Sequence, residues 1–183
     1  MKLASAEFPG GTFNTFVSAG GGTIEYNNAA DFIMPTGRTI YNNLVINLSA
    51  TNRIATLGSN LTVNGDFAIN RGTFQIGNNN YGRTITVVSD LTVESAGSIT
   101  TGTTNVSRDG STHTFTNGTH NGHKLELQGN FTNNGNVSFT NQAAENYGTA
   151  YSNVTNVFFT NTTGDQNVTI NGPTKFYSIR VQK

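Results

Sequence analysis

Cysteine is absent from this chain. No disulfide framework and no thiolate metal site can form, so packing and hydrogen bonds must hold the fold. Charge is scarce too. Asp, Glu, Lys and Arg make up 11% of the residues, against about 25% in an average globular chain. Acids and bases balance to a net charge of zero. With no basic patch, nucleic acid and anionic membranes are poor partners. No run approaches the roughly 18 apolar residues of a membrane span, so no membrane insertion is expected. The start, MKLASAEF, carries one Lys and no apolar h-region, and does not read as a secretory signal. Nowhere do apolar residues keep a 3.6-residue period over about ten positions, so no sizeable helix is expected.

Asn, Thr, Ser and Gly fill the space that charge leaves. This is not the composition of a disordered chain, because 12 Phe and 6 Tyr accompany the zero net charge. In the stretch LGSNLTVNGDFAINRGTFQI, residues Leu61, Val63, Phe67, Ile69, Phe74 and Ile76 alternate with polar neighbours. Alternation predicts strands with one buried face. Asn64-Gly65 and Asn70-Arg71-Gly72 interrupt the runs with residues that tolerate tight corners. Strand and corner in quick succession predict the wall of a β-solenoid.

Other strands are expected at Thr12–Val17, Thr23–Tyr26, Phe32–Met34, Tyr41–Ile46, Ile85–Val87 and Leu91–Val93. Ser59-Asn60-Leu61-Thr62-Val63 is matched by Ser89-Asp90-Leu91-Thr92-Val93. The string from Leu61 to Phe67 is matched by the string from Leu125 to Phe131. These matches imply a repeat of thirty-odd residues, with loops of varied length at 78–83, 102–111 and 141–156. The run from Ile24 to Ile46 has an approximate second copy from Val157 to Val181. The expected organisation is one domain over 1–183, with a long unit at 23–155 and the start of a second at 156–183. A following repeat, or another copy of the chain, is then expected to cover the last strands.

The strings GTIEYNN, YNNLVI, NLTVNGDF, LELQGNFTNNGNVSF and DQNVTINGPTKFYSIRVQK resemble repeat units of very large surface proteins of Bacteroidota. Those proteins are similar to filamentous-haemagglutinin-type adhesins and are commonly cargo of the type IX secretion system. The resemblance implies a right-handed parallel β-helix; the expected size is about seven to nine coils, a rod of roughly 40 Å. It implies an extracellular or cell-surface module that acts as a rigid spacer. Neighbouring repeats are its implied partners, with glycans or cell-surface proteins as candidate contacts. It implies no enzyme and no cofactor.

The residues themselves offer four candidate chemistries. Asp66 could stack beside Asp90 or Glu94, as a carbohydrate-active β-helix would need, yet no two acids are adjacent or at i, i+2. The expected reading is that they are corner residues. His113, His120 and His123 could chelate a metal, but NGTHNGH reads as a turn bearing exposed His, and no metal site is assigned. Thr84-x-Thr86 and Thr112-x-Thr114-x-Thr116 raise an ice-binding solenoid as an alternative. That face would need the pattern on most coils, and the strands at 61–63 and 125–127 lack it. Tyr81, Tyr147 and Tyr151 fall in the expected loops and are the candidate ligand-contact residues.

Overall fold

The computed structural model describes residues 1–77, 82–102, 112–115, 118–141 and 154–182, with backbone alone over 112–115 and 118–121. The chain begins with β1 (Lys2–Leu3), a single helical turn α1 (Asn14–Val17), β2 (Thr23–Tyr26), β3 (Phe32–Ile33) and β4 (Ile40–Tyr41). Next come β5 (Asn43–Asn47), β6 (Ile54–Thr56), β7 (Leu61–Val63), β8 (Phe67–Gln75), β9 (Thr84–Val87) and β10 (Leu91–Thr100). A hairpin of β11 (Thr112–Phe115) and β12 (Gly118–Asn121) precedes β13 (His123–Leu127), β14 (Phe131–Asn133) and β15 (Asn136–Ser138). The last strands are β16 (Thr155–Phe159), β17 (Val168–Ile170), β18 (Thr174–Lys175) and β19 (Ser178–Val181).

The fold is all-β, and its two main sheets are parallel. The larger runs β1-β2-β5-β8-β10-β14-β17. A second row of short strands, β3, β6, β15 and β18, joins it through the long β8 and β10. The smaller sheet runs β4-β7-β9-β13-β16-β19. Among the described residues, neither sheet closes on itself. Among the described residues, antiparallel pairing occurs in the β11–β12 hairpin and at the Thr140–Val154 bridge. The chain visits the smaller sheet, then the two rows of the larger one, then the smaller sheet again. Each such circuit is a round.

Residues of successive rounds stand in files. Leu44, Phe67, Leu91, Phe131 and Val168 form one file of the larger sheet. Ala55, Phe74, Ile99 and Val137 form a second. Leu61, Ile85, Leu125, Val157 and Ile179 form a file of the smaller sheet. All but Val168 and Ile179 are buried, and together they fill the space between the sheets. The alternation read from the sequence therefore marks the inward face, as the two-residue period of a strand requires.

The files correct the expected repeat. Leu61 pairs with Ile85 on the smaller sheet, whereas Leu91 pairs with Phe67 on the larger. The matched strings at 59–63 and 89–93 thus lie on different sheets. Any inward–outward–inward strand reads as Leu-Thr-Val, so the string cannot report which sheet it joins. Hydrogen bonds between successive rounds link residues 21 to 24 apart, lengthening to 40 where the hairpin is inserted. The Leu61–Phe67 and Leu125–Phe131 match does hold position, two rounds apart. By contrast, Ile24–Tyr26 lies on the larger sheet and its second copy, Val157–Phe159, on the smaller.

Two expected strands also differ. Thr12–Val17 yields α1, because Phe13, Phe16 and Val17 have i, i+3, i+4 spacing, which gathers them on one side of a turn. The Tyr41–Ile46 strand breaks at Asn42 into β4 and β5, on different sheets. Buried Asn42 secures that corner by donating to the Gly21 carbonyl (2.7 Å) and accepting from the Gly20 N–H (2.9 Å).

Candidate functional site

Tyr81, Tyr147 and Tyr151 lie outside the described residues. Of the histidines, His113 and His120 are paired in the backbone register of the hairpin. His123 corrects the expectation of an exposed turn. Gly122, at φ 125°, turns the chain into β13, and His123, Leu125 and Leu127 then point inward. The His123 ring is buried, and its Nδ1 accepts the Arg83 N–H at 2.9 Å. No group of three or more His, Asp or Glu is placed to hold a metal among the described residues.

Among the described residues, the threonines do not form a repeated T-x-T face. Outward positions of the smaller sheet run Ile40, Thr62, Thr86, Glu126, Phe158, Arg180. Lys124 and Glu126 form an ion pair at 2.5 Å beside Thr86, and Lys124 Nζ stands 4.9 Å from the Phe158 ring centre. On the larger sheet the outward row is Ala68, Thr92, Thr132, Thr169.

Two of the three flagged acids do come together, in a ladder at one corner. Asn43 Oδ1 accepts the Asp66 N–H at 2.9 Å, and Asp66 Oδ1 accepts the Asp90 N–H at 3.3 Å. Asp90 Oδ1 accepts the Asn130 N–H at 2.7 Å, and Asn130 Oδ1 accepts the Asn167 N–H at 2.9 Å. Each side chain caps the backbone of the next round, which satisfies an N–H that the corner leaves without a sheet partner. Glu94 is not part of this ladder; it accepts from Asn134 Nδ2 at a different bend. The signal was present in the sequence as an Asx residue just before each inward strand: Asn43-Leu44, Asp66-Phe67, Asp90-Leu91, Asn130-Phe131, Asn167-Val168.

The two ends of the stacked rounds differ. At the first, Ile24, Tyr26 and Tyr41 are fully buried. β1 pairs along β2, Val17 is buried, and Phe8 and Phe13 pack against the core. Phe8 meets Phe13 at 5.7 Å and Tyr41 at 6.4 Å, under the Arg38 guanidinium. The Tyr26 and Tyr41 hydroxyls share a hydrogen bond of 2.9 Å. Burial pushes the Tyr41 hydroxyl up to about 12, and burial with the neighbouring Tyr41 pushes Tyr26 higher still. On the outer face Glu25 sits below the usual carboxylate range. Burial pulls it up, but hydrogen bonds from Asn47, Lys2 and Asn27 outweigh that pull.

The last round is open. Val168 and Ile170 on β17, with Ile179 and Val181 on β19, occupy inward positions yet are 44–66% exposed. Their neighbours one round earlier, Phe131, Val157 and Phe159, are buried. With Phe176 and Gln166 they line a cavity of about 520 Å³. The sequence leads one to expect that these last strands need a cover, but it does not single out these side chains as a site. This apolar, concave face is the candidate functional site.

No family model, curated protein or solved structure matches the chain.

Proposed function

We propose that the chain is a right-handed parallel β-helix that serves as a rigid spacer in an extracellular or cell-surface adhesin of the Bacteroidota type. The carrying observation is the in-register parallel stacking of round on round through both sheets, tied at one corner by the Asx ladder. Parallel connections within a sheet are right-handed in nearly all proteins, which supports that hand. The longest row holds seven strands, so at about 4.8 Å per strand the stack measures about 30 Å. Such an object transmits force and holds its ends apart without any moving part. Its sparsely charged exterior, rich in Thr and Asn and of zero net charge, suits contact with glycans or neighbouring proteins, and a glycan array tests that contact.

Small-angle X-ray scattering and a polysaccharide panel test the spacer role. The expected result is a scattering profile that fits the stack, with no release of reducing ends or unsaturated products. Turnover of any polysaccharide would replace the spacer with a carbohydrate-active enzyme. Thermal hysteresis would replace it with an ice-binding protein.

A further inference from the structure

We propose that the open last round is a docking face for one further parallel round of β-structure, supplied by a polypeptide segment that alternates apolar and polar residues. This inference rests on the β-helix reading above. Its first support is the Asx ladder. Every earlier member holds the N–H of the next round on its side-chain oxygen. Asn167 is the fifth member, and its Oδ1 holds no N–H among the described residues. By the order of the ladder, a sixth member would bring its N–H to that oxygen.

The second support is continuity with the interfaces already present. Val168 and Ile170 extend the files of Phe131 and Asn133, and Ile179 and Val181 extend those of Val157 and Phe159. In each earlier round the following strand covers these positions. Here the cavity beside Phe159 and Phe176 is the space that the inward side chains of a following round would fill. Backbone groups along the outer edges of β17 and β19 would pair with it, as in strand addition to a sheet edge.

The ladder also selects the occupant. It needs a parallel strand that enters at the Asn167 corner. A second copy of this chain could offer a parallel edge only from its first round, and Phe8, Phe13 and Val17 cover that end. A tail-to-tail copy would run antiparallel and bring no N–H to Asn167 in the ladder's order.

The test is a chain in which a second copy of residues 64–88 follows Val181. In the native chain this segment follows Val63, and Val63, Val87, Leu127, Phe159 and Val181 share one file. The copied Asp66 N–H therefore falls at Asn167 Oδ1. A higher urea midpoint is expected, and the edge amides of β17 and β19 should exchange about tenfold more slowly or better. Asn167→Ala should lower the midpoint of the extended chain while leaving that of the parent nearly unchanged. A control extension with serine at the copied Phe67 and Ile69 should give no gain.

Unchanged midpoint and exchange would overturn the proposal, as would an equal gain from the serine control. So would a parent chain that sediments as a dimer with its β17 and β19 amides protected, because a second copy would then be the occupant. Polysaccharide turnover, by contrast, would remove the spacer reading and leave the exchange result standing.

Discussion

Phe67 is buried on β8 and meets Phe74 edge-on, with ring centres 5.0 Å apart. Removing the ring leaves a cavity that backbone paired on both sides cannot collapse to fill. Phe67→Ala should cost about 3–5 kcal/mol in urea unfolding; a loss under about 1 kcal/mol would place the ring outside the core. A substitution at Thr155 should have the opposite sign. It is fully buried on β16, and its Oγ1 has no hydrogen-bond partner among the described residues. An unpaired buried hydroxyl costs about 1–3 kcal/mol, so the isosteric Thr155→Val should stabilise the protein by about 1 kcal/mol, read as a higher urea midpoint. The Tyr26–Tyr41 pair sets an alkaline limit. Both hydroxyls have folded values above the unfolded value of about 10. Their contribution is therefore complete below pH 10 and is lost as pH rises from about 10 through about 12. Thermal melts across that window should show falling stability, and Tyr41→Phe should flatten the decline.

At the scale of the strand and corner, the Asx ladder is the device that keeps rounds in register. Asp90 accepts the Asn130 N–H, while its own N–H lies on Asp66. Asp90→Ala should cost about 1 kcal/mol, the usual worth of a side-chain cap. Asp90→Asn should cost much less, since Asn already serves at positions 43 and 130 of the same ladder. Equal urea midpoints for the Ala and Asn variants would show that the carboxylate caps nothing. Strand positions were legible from alternation alone, as at Leu61–Val63 and Leu91–Val93. Sheet membership was not. It depends on how many residues each corner spends before the next strand, and a three-residue string carries no record of that count. His123 was misread for a related reason: NGTHNGH is turn-like by composition, but Gly122 ends the turn one residue before the ring points inward. That the last strands need a cover was legible from the approximate second copy at 157–181, but Val168, Ile170, Ile179 and Val181 have the same alternation as core residues, so the exposed side chains could not be picked out. Only the missing neighbour makes them surface.

At the scale of the whole molecule, stability should grade along the stack instead of being shared evenly. Each round touches only the rounds before and after it, so a side chain in the middle is clamped from two sides and one in the last round from a single side. Val87 and Val181 isolate this effect. They share residue type, sheet, facing and file, yet Val87 is fully buried and Val181 is 66% exposed. Val87→Ala removes two buried methyl groups and should cost about 2 kcal/mol. Val181→Ala removes the same groups from a face already in contact with water, and should cost less than about 0.5 kcal/mol. Urea unfolding of the two variants measures the ratio directly. Similar costs would mean that the last round is as enclosed as the middle. Because hydrophobic stabilisation follows the area withdrawn from water, the cost at position 181 should rise toward that at position 87 once a further round covers it. The same substitution in two chain lengths thus reports whether the end of the stack is a finished surface or an unfilled one.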